Sequence, residues 1–330
     1  MTNDIRWGIL GTGKIARAFA EALTDTPGAT LAAVASRTQD SARKFAAGYG
    51  SAQAYGSYGE LAEAPGIDIV YIATPHPMHA ANAILCLEGG KAVLCEKPFT
   101  MNRREAEQVV ALARAKKLFL MEAMWTRFMP ALAEVRRIVA SGEIGAVHQV
   151  IADFGFTATL DPAHRVNNPD LGGGALLDLG IYPLSIATAL LGPVAEVRAQ
   201  AEMGPTGVDL QTAFTLRHQG GGMSICSCSL TARTPAELII AGELGHVRMH
   251  TMFHRTDRVT VRTEQGERAV ATPYLGNGYV HEAIEAGRCL RAGLLESPGM
   301  LLDESLALMG NLDEIRAQIG LRYRADDEAC

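Results

Sequence analysis

Short apolar runs alternate with segments of helical periodicity over roughly the first 125 residues of the chain. The apolar runs carry few polar residues, as expected of strands whose two faces are both covered by helices. Repeated strand–helix alternation predicts βαβ units and a parallel sheet. The predicted strands are 5–10, 31–36, 67–74, 92–96 and 118–122, and the predicted helices are 15–23, 41–47, 78–87 and 103–116.

The pattern changes after this region. Residues 197–271 alternate apolar and polar positions between turns, which predicts an antiparallel sheet with one solvated or partner-covered face. Further elements are expected at 131–140, 147–156, 172–191, 278–292 and 303–319, all helical except the second, which is a strand. The chain is therefore predicted to hold an α/β domain at 1–123 and an α+β domain at 124–330. Its last helix is expected to pack back on the first domain.

Length and composition agree with two domains and narrow the class of protein. The 330 residues correspond to about 2.2 domains of ordinary size. A hydrophobic fraction of 48% excludes a disordered chain. The net charge of −6 offers no electrostatic surface for nucleic acid, so no such partner is expected. The longest apolar stretch, 172–191, contains Asp178, so no membrane span is expected either.

The N-terminus and the cysteines bear on compartment and metal content. The first residues lack the basic start and apolar run of a secretory signal. The cysteines show no ligand spacing with a second Cys or His pair, so no metal site is expected. This pattern of cysteines indicates a reducing, cytoplasmic location. The six cysteines are Cys86, Cys95, Cys226, Cys228, Cys289 and Cys330.

A glycine-rich segment directly follows the first predicted strand and begins the first predicted helix. Gly11 permits a tight turn, Gly13 allows backbone N–H groups to approach a pyrophosphate, and Ala16 permits close helix–strand packing. Lys14 and Ile15 begin the helix and belong to the same predicted cofactor contact. The segment predicts a Rossmann-type, doubly wound dinucleotide-binding domain. The alternative is a plain glycine turn.

The end of the second predicted strand discriminates between dinucleotides. An acidic residue there binds the ribose of NAD, but this chain has Ser36, Arg37 and Thr38. A hydroxyl and a guanidinium suit a 2′-phosphate, because arginine binds phosphate through a planar two-point fork. The cofactor is therefore predicted to be NADP rather than NAD. The alternative is that Arg37 is an ordinary solvated side chain.

Two clusters carry candidate catalytic chemistry. Glu96 and Lys97 close the strand 92–96, and ligands of parallel sheets bind at the carboxyl ends of the strands. Asp178 and Tyr182 lie four residues apart in an apolar helix, which favours an acid/base role on one helical face. The competing interpretations are a solvated surface lysine and a buried tyrosine whose hydroxyl is satisfied by Asp178.

Taken with these motifs, the chain resembles the glucose–fructose oxidoreductase and inositol dehydrogenase (Gfo/Idh/MocA) family. The segments 71–79, 121–128, 172–183, 288–298 and 313–321 are similar to one branch, the dimeric dihydrodiol dehydrogenases and NADP-dependent D-xylose dehydrogenases. The resemblance spans nearly the whole chain. Many family members have a histidine where this chain has Tyr182, and the tyrosine matches the dihydrodiol and xylose branch.

The resemblance implies roles for individual residues. Lys97 and Tyr182 become the catalytic pair, and Asp178 holds the substrate or orients Lys97. The family's open sheet implies a homodimer, consistent with apolar residues expected on its outer face at Ile225, Leu238 and Ile240. The residues implied around the cofactor are Ser36, Arg37, Thr74, Pro75, His76, His79, Glu96, Lys97, Trp125 and Arg127.

The function predicted is hydride transfer between the nicotinamide and a small sugar (an aldose such as D-xylose) or a trans-dihydrodiol. Phe156 and Tyr279 are candidate walls of the substrate pocket, or ordinary packing residues. His79 either meets the cofactor or caps its helix, and His254 is expected at a surface or strand position. One alternative is a glycoside-cleaving enzyme that reduces and restores its bound nicotinamide. The other is a nucleotide-sensing regulator, which needs no acid/base pair.

Overall fold

The structure is a computed structural model that describes residues 4–50, 52–159 and 161–327. Its first part alternates strands and helices as the apolar pattern predicts. The elements of this part are β1 (Ile5–Leu10), α1 (Lys14–Thr24), β2 (Ala29–Ala35), α2 (Gln39–Ala46), β3 (Gln53–Tyr55), α3 (Tyr58–Glu63), β4 (Ile69–Ile72), α4 (His79–Glu88), β5 (Ala92–Glu96), α5 (Arg103–Lys116) and β6 (Leu120–Ala123).

The remaining elements are mostly strands. They are α6 (Pro130–Ala140), β7 (Val147–Gly155), α7 (Ile181–Leu191), β8 (Val194–Met203), β9 (Asp209–His218), β10 (Met223–Ser229), β11 (Leu238–Gly242), β12 (Gly245–Met249), β13 (Arg258–Thr263), β14 (Gly266–Ala271), α8 (Val280–Arg291) and α9 (Leu302–Ile319). A π-helical turn, Leu176–Gly180, precedes α7, and 3-10 turns lie at His76–Met78, Trp125–Phe128, Arg165–Asn167, Pro169–Leu171, Phe253–Arg255 and Arg324–Asp326.

The first sheet is parallel and has the strand order β3-β2-β1-β4-β5-β6. This is the doubly wound order in which a dinucleotide binds where the strand order reverses, between β1 and β4. The carboxyl ends of β1, β2, β4, β5 and β6 therefore lie along one edge of the sheet. The predicted cofactor residues of this region follow those strand ends.

The second sheet is mixed and mainly antiparallel, with the order β14-β13-β12-β11-β7-β10-β9-β8. The strand β7 lies in its interior, parallel to β10 and antiparallel to β11. One face of the central strands of this sheet is buried, and Cys226 and Cys228 of β10 both point to that face. The fold class is thus the α/β plus α+β arrangement that the sequence predicts.

Two residues expected on the outer face of this sheet lie on the inner one. Leu238 and Ile240 of β11 are fully buried, so this part of the expectation is wrong. Because side chains alternate along a strand, it is Ile239 between them that faces outward. Ile225 is 42% exposed, as expected of an outward position.

The structure divides the chain into two compact units. The first unit comprises the described residues up to Trp125 together with Leu275–Leu306, and the second comprises Thr126–Tyr274 with the described residues from Ala307 onward. This differs from the contiguous ranges 1–123 and 124–330. The segment Leu275–Leu306 contains α8 and the start of α9. It belongs to the first unit because α8 packs its apolar face against α1.

Among the described residues, the segment Pro169–Leu191 is long and apolar enough to cross a membrane by length and composition alone. Within the second unit, 78% of its most apolar window is buried, as in the core helix of a folded domain. Five cysteines are free and buried, and Cys330 lies outside the described residues.

Candidate active site

The loop after β1 has the shape that a pyrophosphate requires. Gly11 adopts φ +102°, and a Cβ there would lie 2.7 Å from the carbonyl oxygen of Ala73, so only glycine fits. A Cβ on Gly13, in contrast, would have no atom within 4 Å. Gly13 is the N-cap of α1 and supplies no side-chain cap, which leaves N–H groups of the first turn for an anion. These features fit a bound dinucleotide. Lys14 and Ile15 are the first two residues of α1.

Ser36, Arg37 and Thr38 follow β2 in the same unit. Ser36 is buried, and its Oγ lies 3.3 Å from Oγ1 of Thr12 in the glycine loop. Arg37 is exposed. Burial raises the pKa of Tyr58, and the charge of Arg37 lowers it. Thr38 caps α2 by accepting the Ser41 N–H at 3.3 Å. The Ser36 hydroxyl and the Arg37 guanidinium thus directly follow β2, the position where dinucleotide-binding domains of this type contact the 2′-phosphate of NADP.

His79 links the chain segments that follow β4 and β5. It is the first residue of α4, fully buried, with Nδ1 2.8 Å from the Pro98 carbonyl oxygen and Nε2 2.9 Å from that of Thr74. Burial lowers the pKa of His79, which favours the neutral ring. The N-cap of α4 is Met78, so the ring braces two loops rather than capping its helix. Pro75 and His76 lie in the first of these loops, and Thr74 and His76 are buried.

Glu96 and Lys97 stand at the end of β5. Glu96 is 6% exposed; it accepts a hydrogen bond from the Tyr71 hydroxyl and another, at 3.1 Å, from the Lys97 N–H. Lys97 is half-buried, and its peptide bond to Pro98 is cis. At the end of β6, Trp125 packs on Tyr279, with ring centroids 4.5 Å apart. Tyr279, a candidate pocket wall, thus contacts a residue predicted to bind the cofactor.

In the second unit, Asp178 lies in the π-helical turn that precedes α7, and Tyr182 lies in the first turn of α7. π-Helical turns are frequent at functional sites. Asp178 forms an ion pair with Arg165, whose guanidinium nitrogen lies 2.9 Å from its Oδ2. Arg165 could not be predicted from the sequence, because it lies in a loop whose course the apolar pattern leaves open.

An aromatic cluster surrounds the buried ring of Tyr182. Phe154 meets that ring edge-on, with centroids 5.4 Å apart. The ring of His254 stacks on Phe154 at 4.5 Å and lies 5.5 Å from Tyr182. His254 is only 6% exposed, so the expectation of an ordinary surface or strand position is wrong. Phe156, the residue singled out from the sequence, is 37% exposed.

Arg127 also belongs to the second unit. It is 4% exposed, and its Nε donates a hydrogen bond to Ser185 Oγ at 2.8 Å. Ser185 is one turn beyond Tyr182 on α7, so Arg127 ties the chain after β6 to the helix that carries Tyr182.

The first domain has a glycine loop on a doubly wound sheet, and the second domain buries an acid and a phenol. This combination is typical of a two-domain, dinucleotide-dependent oxidoreductase. Comparison with known families agrees with this class of protein. Residues 5–124 match the model described as "Oxidoreductase family, NAD-binding Rossmann fold", and residues 132–248 match the "GFO/IDH/MocA C-terminal domain". The chain belongs to the GFO/IDH/MocA family, as the resemblance in sequence predicts.

Several relatives align over almost the whole chain. A trans-1,2-dihydrobenzene-1,2-diol dehydrogenase from Danio rerio is 37% identical, with 98% of this chain and 99% of the relative covered. A D-xylose 1-dehydrogenase (NADP(+)) from Hypocrea jecorina is 37% identical, with 97% and 93% covered. Among solved structures, a 3-ketoreductase from Actinomadura kijaniata in complex with NADP and TDP-benzene superposes with a TM-score of 0.86 at 26% identity, with 96% and 98% covered.

Proposed function

We propose that this protein is an NADP-dependent dehydrogenase that oxidises a CH–OH carbon of an aldose such as D-xylose or of a trans-dihydrodiol. The observation that carries the proposal is the buried phenol of Tyr182, set one turn after an ion-paired acid, in a family whose first domain binds a dinucleotide. The names of the two relatives at 37% identity support the two substrate classes.

The chain's own residues have distinct tasks in this reaction. When bound, NADP⁺ supplies the carbon that accepts the hydride. Tyr182 removes the proton of the substrate hydroxyl, and the aromatic cluster fixes its ring. Since a free phenol has a pKa of about 10, a cation must favour its ionised form, and we assign that task to Lys97. Asp178, whose charge is balanced by Arg165, orients the substrate hydroxyls.

The experiment that tests this function is a spectrophotometric screen. The purified protein is mixed with NADP⁺ or NAD⁺ and with pentoses, hexoses and trans-dihydrodiols, and the absorbance of reduced nicotinamide is followed. We expect NADP⁺ to be reduced with at least one aldose or dihydrodiol. No reduction with any member of these classes would overturn the proposal.

Replacing Arg37 with leucine tests the choice of cofactor. The substitution removes the guanidinium that faces the 2′-phosphate, so we expect the Kd for NADP⁺ to rise by about 10- to 100-fold, since a charge-assisted hydrogen bond contributes roughly 1.5 to 3 kcal/mol. The Kd for NAD⁺ is expected to change little. Titration calorimetry with both dinucleotides measures the two values. The matched control is Arg43→Leu, an exposed arginine on α2; equal losses for NADP⁺ and NAD⁺ in Arg37→Leu would contradict the assignment.

We also propose that the protein forms a homodimer through the outer face of its second sheet. Strand register aligns three isoleucines on this face, Ile239 of β11, Ile151 of β7 and Ile225 of β10. Ile151 and Ile225 are 39% and 42% exposed, and Met223 on the same strand is 48% exposed. Contiguous apolar side chains at the middle of a sheet are typical of a protein–protein interface.

Replacing Ile225 with glutamate is expected to weaken such a dimer by at least about 100-fold in Kd, because a buried, unpaired carboxylate costs several kcal/mol. Analytical ultracentrifugation over a range of concentrations measures the effect. Leu244→Glu is the control, since Leu244 is 61% exposed but lies in the turn between β11 and β12. A monomeric wild type, or a dimer that Ile225→Glu leaves intact, would reject this interface.

A reducing, cytoplasmic location is proposed as well. The five described cysteines are free and buried, and burial raises the pKa of Cys86 to about 12. Such thiols behave as small apolar side chains of a core.

A further inference from the structure

A run of three glycines, Gly172–Gly174, leads into the π-helical turn that precedes α7, and this run is packed tightly by its surroundings. The Gly174 N–H donates to the Val166 carbonyl oxygen at 2.8 Å. A Cβ on Gly173 would lie 2.7 Å from the carbonyl oxygens of Arg165 and Val166, so no larger residue fits there. The glycine run therefore lies directly against the loop that supplies Arg165.

Asp209, the first residue of β9, holds the start of the helix that follows. Its Oδ2 accepts the Leu176 N–H at 2.8 Å and the Thr212 hydroxyl at 2.6 Å. Leu176 is the first residue of the π-helical turn, and the N–H groups at the start of a helix have no partner within it. Ala175, the N-cap residue, has no side-chain oxygen that could accept this bond. Asp209 thus caps the helix from a neighbouring strand.

The carboxylate of Asp209 lies in a place where an acid is costly. Asp209 is fully buried, and within the described residues its Oδ1 has no hydrogen-bond partner. A Cβ on Gly174, whose φ is +120°, would overlap this oxygen, so the carboxylate touches the backbone of the glycine run. Burial raises the pKa of Asp209, and the hydrogen bonds from Thr212 and Leu176 lower it. The partial positive charge of the helix start compensates a buried carboxylate at this position.

Tyr323 holds the same glycine run from the C-terminal segment. It is buried, and its hydroxyl donates to the Gly173 carbonyl oxygen. Arg316 of α9 lies over the ring of Tyr323, 5.5 Å from its centroid, and donates to Asp326 at 2.6 Å. The Tyr323 N–H also donates to Asp326, at 2.9 Å. The segment after α9 is therefore anchored, and it presents the Tyr323 hydroxyl to the glycine run.

We propose that Asp209 and Tyr323 are positioning residues for Tyr182, because together they fix the backbone from Gly173 to Leu176, where the helix that carries Tyr182 begins. Tyr182 lies less than two helical turns beyond Leu176, so a shift of the helix start moves the phenol. A proton acceptor works only within hydrogen-bond reach of the substrate. The link to catalysis rests on the proposed function of Tyr182, whereas the hold on the helix start follows from the contacts alone.

Replacing Asp209 with alanine should lower kcat by about 10- to 100-fold, because a small displacement of a catalytic group costs up to about that much. The Kd for NADP⁺ should be unchanged, since the glycine loop after β1 belongs to the other unit. Asp209→Asn keeps a side-chain oxygen that can accept the Leu176 N–H, so it should keep most of the wild-type kcat. A loss in Asp209→Asn equal to that in Asp209→Ala would contradict a role in holding Leu176.

Tyr323→Phe removes one hydroxyl and keeps the ring, so it tests the second contact in a variant with minimal change to the packing. It should lower kcat by about 2- to 10-fold, the effect of one lost neutral hydrogen bond. The matched control is Ser224→Ala, which removes a buried hydrogen bond of 2.8 Å to His218, the last residue of β9. Its kcat should be unchanged, and a loss as large as that of Tyr323→Phe would reduce both contacts to general packing.

Hydrogen exchange followed by mass spectrometry tests the hold on the helix start without reference to activity. The peptide that spans residues 172–180 should exchange faster in Asp209→Ala than in the wild type, Asp209→Asn or Ser224→Ala, because the Leu176 N–H loses its acceptor. Tyr323→Phe should show a smaller increase in the same peptide. A peptide from the far end of α7, residues 184–191, should exchange as in the wild type.

Unchanged exchange at residues 172–180 in both Asp209→Ala and Tyr323→Phe would overturn the proposal, as would faster exchange with an unchanged kcat. A wild type that turns over no substrate of the spectrophotometric screen would reject the proposed function instead. In that case the exchange of the same peptide still tests whether Asp209 and Tyr323 hold the helix start.

Discussion

Replacing Tyr182 with phenylalanine is expected to lower kcat by about 100- to 10,000-fold, the range for loss of a general acid or base. The substitution removes only the hydroxyl, so the ring keeps its contacts with Phe154 and His254. Binding of NADP⁺ should be unchanged, because the glycine loop that fits the pyrophosphate belongs to the other unit. Steady-state kinetics and calorimetric titration of NADP⁺ measure the two effects separately.

Tyr274→Phe provides the matched control for this substitution. Tyr274 lies in the same unit as Tyr182 and also loses only a hydroxyl, but it stands in the segment between β14 and α8. Its kcat should stay within about twofold of the wild type, because Tyr274 has no part in the proposed proton transfer. If Tyr182→Phe kept most of its turnover, the proton would have to be removed by another group.

Replacing Gly13 with valine is expected to raise the Kd for NADP⁺ by about 100-fold or more, equivalent to about 2.7 kcal/mol. The new side chain would occupy open space, since a Cβ at Gly13 has no atom within 4 Å. We propose that a pyrophosphate approaches the backbone through this space. Stability without cofactor should fall by about 1 kcal/mol at most, the cost of changing an N-cap glycine. Calorimetric titration and thermal unfolding measure the two quantities.

Gly11→Ala should mainly destabilise the fold rather than weaken binding of NADP⁺. Its Cβ would lie 2.7 Å from the Ala73 carbonyl oxygen, and its φ of +102° is strained for any L side chain, so the fold itself loses about 1 to 3 kcal/mol. If Gly13→Val bound NADP⁺ as tightly as the wild type, the loop after β1 would not be the pyrophosphate site.

The first unit could be predicted from sequence because its strands are buried on both faces. The apolar runs locate β5 and α5 at the same residues as the structure. The short strand β3 and the helix α3 were missed, since three and six residues carry too little periodicity to be distinguished from loop. The position of Lys97 followed from the rule that parallel sheets place their sites at strand ends.

The second unit was harder to predict because its sheet is built from distant segments. Alternation indicates strands but not their partners, so the parallel pairing of β7 with β10 was not foreseen. Which face of β11 is buried depends on that pairing, and Leu238 and Ile240 were assigned to the wrong one. The sequence around His254 favours neither a loop nor a strand. His254 lies in a 3-10 turn that follows Met252, a residue in the left-handed conformation, and its ring there lies close to that of Tyr182.

Side-chain partners were the least predictable part of the site. The sequence shows that Asp178 is acidic, but not that Arg165 pairs with it. Glu282 lies in α8, whose pattern is compatible with a solvated glutamate, yet its side chain is fully buried. Long-range packing therefore determines the electrostatics of residues whose chemistry is already evident from sequence.

Isotope transfer tests direct hydride transfer most directly. The protein is incubated with NADP⁺ and a substrate found in the spectrophotometric screen that carries deuterium on the oxidised carbon, and the released dinucleotide is analysed by mass spectrometry. Direct hydride transfer predicts reduced dinucleotide that is one deuterium heavier than the unlabelled product and that accumulates in proportion to the oxidised substrate. Turnover of the substrate with no deuterium on released NADPH would contradict direct hydride transfer.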